Sequence, residues 1–541
     1  MVSAVNQAQQ LDELMSCRLN EGRKNLEPCT VVIFGASGDL TSRKLIPALY
    51  HLYLEKQMPA SCRIIGVARR EKTDDSWRQE LREALNQFSR TKPVDESVWT
   101  AFAQQIFYCQ GDISEASTYA TLGGIIGKSG DAQAKENLLF YLATSPSQFS
   151  EVARNLSEAK LLVKDPAKGW QRLVVEKPFG HDLESAIQLN RELTRYAREQ
   201  QIFRIDHYLG KETVQNIWMF RFSNGIFERL WNREAVDHVQ VTVSEKLGVG
   251  QRGGYYEEAG ALRDMLQNHM LQVLSLVTME PPVSLEAEAI RDEKVKLLKS
   301  IRPLTAEAAG QVVRGQYFAG SVDGEARPGY RQEPKVKPDS NVETFVAVEL
   351  YIDNWRWSGV PFYLRTGKNL PVSTSEVRIE FRKAPNVLFA ARCGQKLDSD
   401  ALILRLQPDE GISLRFNGKV PGTSEEVRPV RMHFSYDAEF GAYTPEAYER
   451  LLLEAMAGDA TLFIRRDEVE SAWKIADEIR ALWNGKSLSN REFYSAGTWG
   501  PVAADDLLAR HGHVWHEPVM LRLHPPEAAA APEKAEVAKK K

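Results

Sequence analysis

The chain has 541 residues, with 69 Lys+Arg against 73 Asp+Glu and a formal net charge of −4. That length calls for two to four domains at about 100–200 residues each, and a composition of 43% apolar and 26% charged residues excludes wholesale disorder. The near-neutral balance argues against a nucleic-acid protein with a dominant basic face. No run reaches the ~18 uninterrupted apolar residues of a membrane span: the nearest, Met265–Met279, is broken by Gln267, Asn268, His269 and Gln272.

Residues 1–29 read as a polar leader with a short helix around Leu11–Met15. The opening MVSAVNQAQQLDELM has no apolar signal-peptide core and carries acids that a transit peptide avoids, so a cytoplasmic protein is expected. Regular patterning begins at Thr30 with the apolar run TVVIF, a glycine turn, and leucines at helical spacing over Ser42–Lys56. Strand-like runs follow at Arg63–Ala68, at 106–113, at 138–144 and at 173–178, separated by helical stretches such as Ser76–Phe88. Strands alternating with helices predict βαβ units and a parallel sheet, here a dinucleotide-binding, Rossmann-type α/β domain over 30–205.

Beyond Ile205 strand patterns stand back to back: His238–Glu245, Thr344–Ile352, Pro361–Arg365, Val377–Arg382, Ala401–Gln407 and Gly411–Phe416, with helices at 260–278, 286–299 and 467–483 to cover them. Turn signals between strands favour a mostly antiparallel sheet, so 206–520 reads as a larger α+β domain for substrate and oligomerisation. The Ala/Pro/Glu/Lys-rich end, 521–541, reads as a disordered tail. Five cysteines (Cys17, Cys29, Cys62, Cys109 and Cys393) are odd in number, with no CxxC or Cys/His cluster, which predicts neither a disulfide framework nor a metal site.

Five stretches carry chemistry. Gly35-Ala36-Ser37-Gly38-Asp39-Leu40 lies between the first strand and the first helix, where glycines let a backbone approach a pyrophosphate and the helix N-terminus offers free N–H groups. It is a loose GxxGxx, so a plain tight turn is the alternative reading. The second strand ends in Arg69-Arg70 where an NAD site usually has an acid, and two guanidiniums suit a 2′-phosphate. Glu176-Lys177-Pro178-Phe179-Gly180 lies at the carboxyl end of a strand of the parallel sheet, where ligands of such sheets bind. In Arg204-Ile205-Asp206-His207-Tyr208-Leu209-Gly210-Lys211-Glu212, the residues His207, Tyr208 and Lys211 surround a helix start, an anion cradle or an ordinary polar junction. A fifth stretch, from Gly253 to Gly260, runs into a helix with His269 on an apolar face. Asp264, five positions earlier, falls about 140° away at ~3.6 residues per turn, so both reach one ligand only across a broad surface.

Together, GASGDLxxRKLxPAL, EKPFG, RIDHYLGKE, RGGYYEEAGALRDMLQNHMLQ and VPFYLRTGK, in this order, resemble the glucose-6-phosphate dehydrogenase family from about Thr30 to about Pro518. The resemblance implies oxidation of C1 of glucose 6-phosphate with hydride transfer to NADP+, the first oxidative step of the pentose phosphate pathway. It implies His269 as general base oriented by Asp206, and Lys177, His207, Tyr208, Lys211, Glu245, Asp264, Lys368 and Gln407 as substrate contacts. Gly35, Ser37, Gly38, Asp39, Leu40, Arg69, Arg70, Lys177 and Pro178 then fall at the cofactor. It further implies a homodimer or homotetramer built on the larger sheet and leaves room for a regulatory protein partner; no nucleic acid or membrane is expected. Some members hold a second, structural NADP. This chain keeps Arg378, Arg405 and Arg415 near that site but has Ser373 and Ser413, so a second cofactor is not expected. Some relatives carry a thiol switch, whose pairing spacing alone does not assign here. The rival readings are a dehydrogenase of another sugar and a non-catalytic NADP-binding sensor.

Overall fold

A computed structural model describes residues 26–59, 61–385, 397–422, 426–440 and 445–518. The leader helix, Cys17, Cys393 and the tail lie outside the described residues. The strands in chain order are β1 (Cys29–Phe34), β2 (Cys62–Ala68), β3 (Ile106–Gln110), β4 (Leu138–Leu142), β5 (Gln171–Val175), β6 (Ile202–Ile205), β7 (Val236–Ser244), β8 (Val312–Phe318), β9 (Gly320–Val322), β10 (Glu325–Arg327), β11 (Phe345–Tyr351), β12 (Pro361–Gly367), β13 (Thr374–Phe381), β14 (Ala401–Gln407), β15 (Gly411–Lys419), β16 (Val427–Ser435), β17 (Phe463–Ile464) and β18 (Phe493–Ser495).

The first sheet has the order β17-β6-β5-β4-β1-β2-β3, parallel throughout except for β17. β1 and β4 are buried along their whole length, as expected of parallel strands covered by helices on both faces. The helices start where the sequence supplies caps: Thr73 with Ser76 before Asp74–Phe88, and Asp182 with Ser185 before Leu183–Tyr196. Cys29 and Cys62 are register partners on β1 and β2, and they and Cys109 are buried free thiols.

The second sheet has the order β16-β15-β14-β13-β7-β12-β11-β8-β18. It is antiparallel apart from the β7–β12 and β8–β18 pairs, so the fold class is the one expected. β8, β16 and β18 of this sheet fall outside the strands anticipated from sequence. The helical segment Leu262–Met270 packs on β7, β11 and β12 and the helix Glu212–Ser223 on β14, while Leu271–Thr278 packs on Glu212–Ser223 and on Ala287–Ser300, with Leu271, Leu274, Val277 and Ile290 in the core. Among the described residues no helix is long and apolar enough to cross a membrane.

The late part of the chain returns to the first sheet. β17 pairs antiparallel with β6, and the following helix, Arg466–Trp483, packs on the helix Leu183–Tyr196. From it Trp473 Nε1 donates to the Phe179 carbonyl (2.8 Å), and Asp477 Oδ2 accepts from the Leu183 N–H (2.8 Å). The Lys177–Gly180 loop is thereby fastened from a helix nearly 300 residues away in sequence.

Candidate active site

The glycine turn is tight for a definable reason. Gly35 has φ +88°, and a Cβ there would lie 2.3 Å from the Ala143 carbonyl oxygen of the neighbouring strand's end. The turn is closed by Gly38 N–H to Gly35 O (2.9 Å) and Thr41 Oγ1 to Gly35 O (3.1 Å). Asp39 is exposed and ion-paired to Arg43, while Leu40 packs against the core. Arg69 and Arg70 stand exposed at the end of β2. Tyr108 OH holds the Arg70 carbonyl at 2.6 Å. The buried Thr144 hydroxyl beside Gly35 has no hydrogen-bond partner. An orphaned donor, a close-approach turn and two exposed guanidiniums fit a dinucleotide phosphate ligand.

Across the cleft, Asp206 directly follows β6, and the helix Glu212–Ser223 begins just after Lys211. Asp206 Oδ1 lies 2.6 Å from His269 Nδ1 and accepts from the Tyr208 N–H at 2.9 Å. Both side chains are buried (2% and 1% exposed), and Asp206 Oδ2 has no partner. Burial works against the Asp206 charge, but His269 beside it outweighs that, and the carboxyl is held below its ordinary range. For His269, burial leads and lowers the imidazole pKa, Asp206 opposes it and Lys177 adds to it; the net effect holds the imidazole below its ordinary value.

Lys177 Nζ sits 2.9 Å from His269 Nε2 and 3.2 Å from Asp264 Oδ1. An ammonium only donates, so Nε2 carries the lone pair and Nδ1–H points at Asp206. Tyr255 OH donates to the same Asp264 oxygen at 3.1 Å. Burial pushes the Asp264 carboxyl up, and Lys177 and His269 pull it below the usual value.

The angular separation expected between Asp264 and His269 is overturned. The helix breaks at Gly260 (φ 63°, ψ 176°), and Leu262–Met270 is a π-helix, closed by Leu271 N–H to Leu266 O. With i→i+5 bonding a residue lies one turn above the residue five before it. Asp264 and His269 therefore meet on one face and share Lys177.

On the other side, the Tyr208 ring stacks on the His269 ring at 4.3 Å, and Lys211 Nζ lies 4.0 Å from the centroid of the same Tyr208 ring. Gln407 accepts from Lys211 and donates to Ser375 Oγ at 3.0 Å. His207, Lys211 and Gln407 line one cavity of about 360 Å³ together with Lys44, Glu410 and the start of the helix Ala447–Ala457. Burial lowers the Lys211 ammonium to about 8 and, with Lys177 adding, the Lys368 ammonium to about 8. Lys368 pairs with Glu245. The fold thus gathers Lys177, Asp206, His207, Tyr208, Asp264 and His269 at one centre, with Lys211 and Gln407 adjoining. Tyr255, Ser375, Lys44 and Glu343 were not singled out from sequence, although Tyr255 and Lys44 sat in stretches already marked.

A second imidazole cluster lies on the far side of the larger sheet. Asp237 Oδ2 is 2.8 Å from His238 Nδ1 and 3.0 Å from His513 Nε2. Gln240 donates to His238 Nε2 (3.1 Å), its orientation fixed by Val514 O and the His516 N–H. His238 Nδ1 therefore carries its proton toward Asp237, and this is a hydrogen-bonded clamp. Nearby, Arg378 and Arg415 both pair with Glu380.

The chain is similar to known proteins over nearly its whole described length. The glucose-6-phosphate dehydrogenase NAD binding domain model matches residues 32–216, and the glucose-6-phosphate dehydrogenase C-terminal domain model matches 218–516. The chain is 47% identical over 495 residues to glucose-6-phosphate 1-dehydrogenase of Chlamydia pneumoniae, covering 90% of this chain and 96% of that protein. It is 47% identical over 497 residues to the enzyme of the same name from Aggregatibacter actinomycetemcomitans, covering 91% and 98%. A solved structure of a glucose-6-phosphate dehydrogenase in complex with its substrate glucose-6-phosphate superposes with TM-score 0.83 at 37% identity, covering 91% of this chain and 99% of that one. With both domain models matched in order across the paired cleft, the chain belongs to the glucose-6-phosphate dehydrogenase family of oxidoreductases and uses a nicotinamide cofactor.

Proposed function

We propose that the protein oxidises C1 of glucose 6-phosphate to 6-phosphoglucono-1,5-lactone with NADP+ as acceptor, as the first oxidative step of the pentose phosphate pathway. The observation that carries the reading is the Asp206–His269–Lys177 line, which leaves one imidazole lone pair at Nε2 facing the cleft.

In this reading the sugar C1 hydroxyl takes the place at Nε2 now held by Lys177. His269 accepts the hydroxyl proton, and Asp206 stabilises the resulting imidazolium. Loss of that proton together with hydride from C1 is the two-electron oxidation of the alcohol to the lactone carbonyl. NADP+, when bound, supplies the nicotinamide ring that takes the hydride. The turn Gly35-Ala36-Ser37-Gly38 with Asp39 and Leu40 would hold its pyrophosphate, Arg69 and Arg70 its 2′-phosphate, and Lys177 and Pro178 would flank the nicotinamide. His207, Tyr208, Lys211 and Gln407 would grip the 6-phosphate, and Glu245, Asp264 and Lys368 the sugar hydroxyls. The exposed Met432 and Val430 on β16 support a homo-oligomer formed through the larger sheet.

The test compares initial rates on glucose 6-phosphate and glucose, with NADP+ and NAD+, for the wild type and His269→Asn. A strong preference for the phosphorylated sugar, with turnover reduced by orders of magnitude in H269N and NADP+ binding intact, is expected. Equal specificity constants for the two sugars, or near-normal turnover in H269N, would defeat the reading.

A further inference from the structure

We infer that Glu343 is a positioning residue for proton abstraction: from the approach to β11 it pins the first turn of the π-helix Leu262–Met270 and so sets the register that puts Asp264 and His269 on one Lys177 ammonium. The inference rests on the reading of His269 as the base.

A nine-residue π-helix is an uncommon conformation, and its first N–H groups have no partner within the helix. Glu343 supplies two. Its backbone carbonyl accepts from the Ala261 N–H at 3.0 Å, and its carboxylate Oε1 accepts from the Leu262 N–H at 3.1 Å. Gly260 makes this approach possible. Its φ of +63° breaks the preceding helix, and a Cβ at that position would lie 2.3 Å from Glu343 Oε1. The carboxylate therefore fills the volume that a side chain at 260 would need, and glycine and glutamate form a matched pair. The carboxylate is held in an interior setting, where burial pushes its pKa up, an arrangement that costs stability unless the group's oxygen is used.

What the pin protects is angular. In the π-helix, positions 264 and 269 lie one above the other. If the segment relaxed to α-helical bonding, they would separate by about 140°. Asp264 would leave Lys177, and the lysine would lose one of the two partners that hold it at the base.

The experiment is steady-state kinetics on Glu343→Ala, Glu343→Gln, Asp264→Asn and the E343A/D264N double variant, with H269N in parallel. Displacement of a catalytic group by about 1 Å can cost on the order of a hundredfold in rate, so E343A is expected to lose about tenfold to a hundredfold in kcat. Its KM for NADP+ should move less than about twofold, because the cofactor turn lies elsewhere. E343Q keeps an acceptor oxygen and should stay within about threefold of wild type. Because both act on one contact, the double variant should be no more than about twofold worse than D264N. Normal kcat in E343A, equal damage in E343Q, or multiplying effects in the double variant would each overturn the pin. If E343A does not fold, Glu343→Asp, one methylene shorter, carries the same comparison. Active H269N removes the base reading and this inference together, whereas inactive H269N with normal E343A removes the pin alone.

Discussion

Replacing Asp206 by Asn isolates the charge behind the proposed base, His269. Asp206 uses one oxygen, Oδ1, for both the His269 ring and the Tyr208 N–H. An asparagine oxygen held by Tyr208 can keep both contacts, so the imidazole tautomer survives and only the carboxylate charge is lost. With delocalised charges about 4 Å apart and an effective dielectric of about 20, that charge favours the imidazolium by about 4 kcal/mol. Dividing by 1.36 kcal/mol per decade gives a fall of about 10³ in kcat. The new amide nitrogen replaces the unpartnered Oδ2 and costs about 1–3 kcal/mol of stability, which thermal melting separates from the kinetic loss. Since Asp206 raises the His269 pKa against burial and Lys177, its neutralisation lowers it further. The acid limb of kcat/KM in the variant therefore moves to lower pH. A kcat within tenfold of wild type and an unmoved acid limb would show that the carboxylate does not support a cationic His269 during turnover.

The other predictions concern Lys177, the Arg69-Arg70 pair and a buried histidine, His51, on the helix Ile46–Leu54. Lys177→Met removes a charge that holds the His269 pKa down, so the acid limb of its residual activity should move to higher pH, opposite in sign to D206N; a shift in the same direction would contradict the assigned contact. Arg69→Ala/Arg70→Ala should raise the NADP+ KM about 10- to 100-fold, the equivalent of a lost charged hydrogen bond, and leave NAD+ kinetics nearly unchanged, whereas equal loss for both cofactors would exclude the 2′-phosphate role. Burial, with Arg90 adding, holds His51 down to about 4; the unfolded state then binds the proton more tightly, so stability is complete above pH ~6.5 and declines toward pH ~4. His51→Gln should flatten that part of the Tm-against-pH curve, and parallel curves would refute the assignment.

Much of the first sheet was legible because parallel strands buried on both faces are written as apolar runs such as TVVIF and LLFYL. β16, VRPVRMHFS, escaped notice: it lies at the edge of its sheet, carries Pro429 and is largely exposed, so nothing requires an apolar alternation there. β8 was hidden by Arg314 and Gly315, which pack and pair in ways only the fold reveals. At the site, residue identities could be read from the chain, but their mutual geometry could not. The alignment of Asp264 with His269 depends on π-helical bonding, for which LRDMLQNHM carries no periodic signal. The partners Ser375, on β13, and Glu343, just before β11, lie more than 70 residues from the groups they serve. Likewise the clamp of Asp237 and His513 joins residues that no spacing rule connects.

The pairing of β17 with β6 has a consequence for biosynthesis. Until residue 464 has emerged from the ribosome, β6 presents an unpaired edge, and Phe203, which packs edge-to-face on Phe463 at 4.8 Å, lacks that cover. The cofactor-binding sheet is encoded early but completed late, leaving an apolar strand edge open to wrong partners throughout synthesis of the larger sheet. A fragment ending at residue 205 would carry that open edge permanently and should associate or aggregate, whereas a circular permutation supplying 445–483 ahead of residue 29 would close the edge as soon as β6 forms.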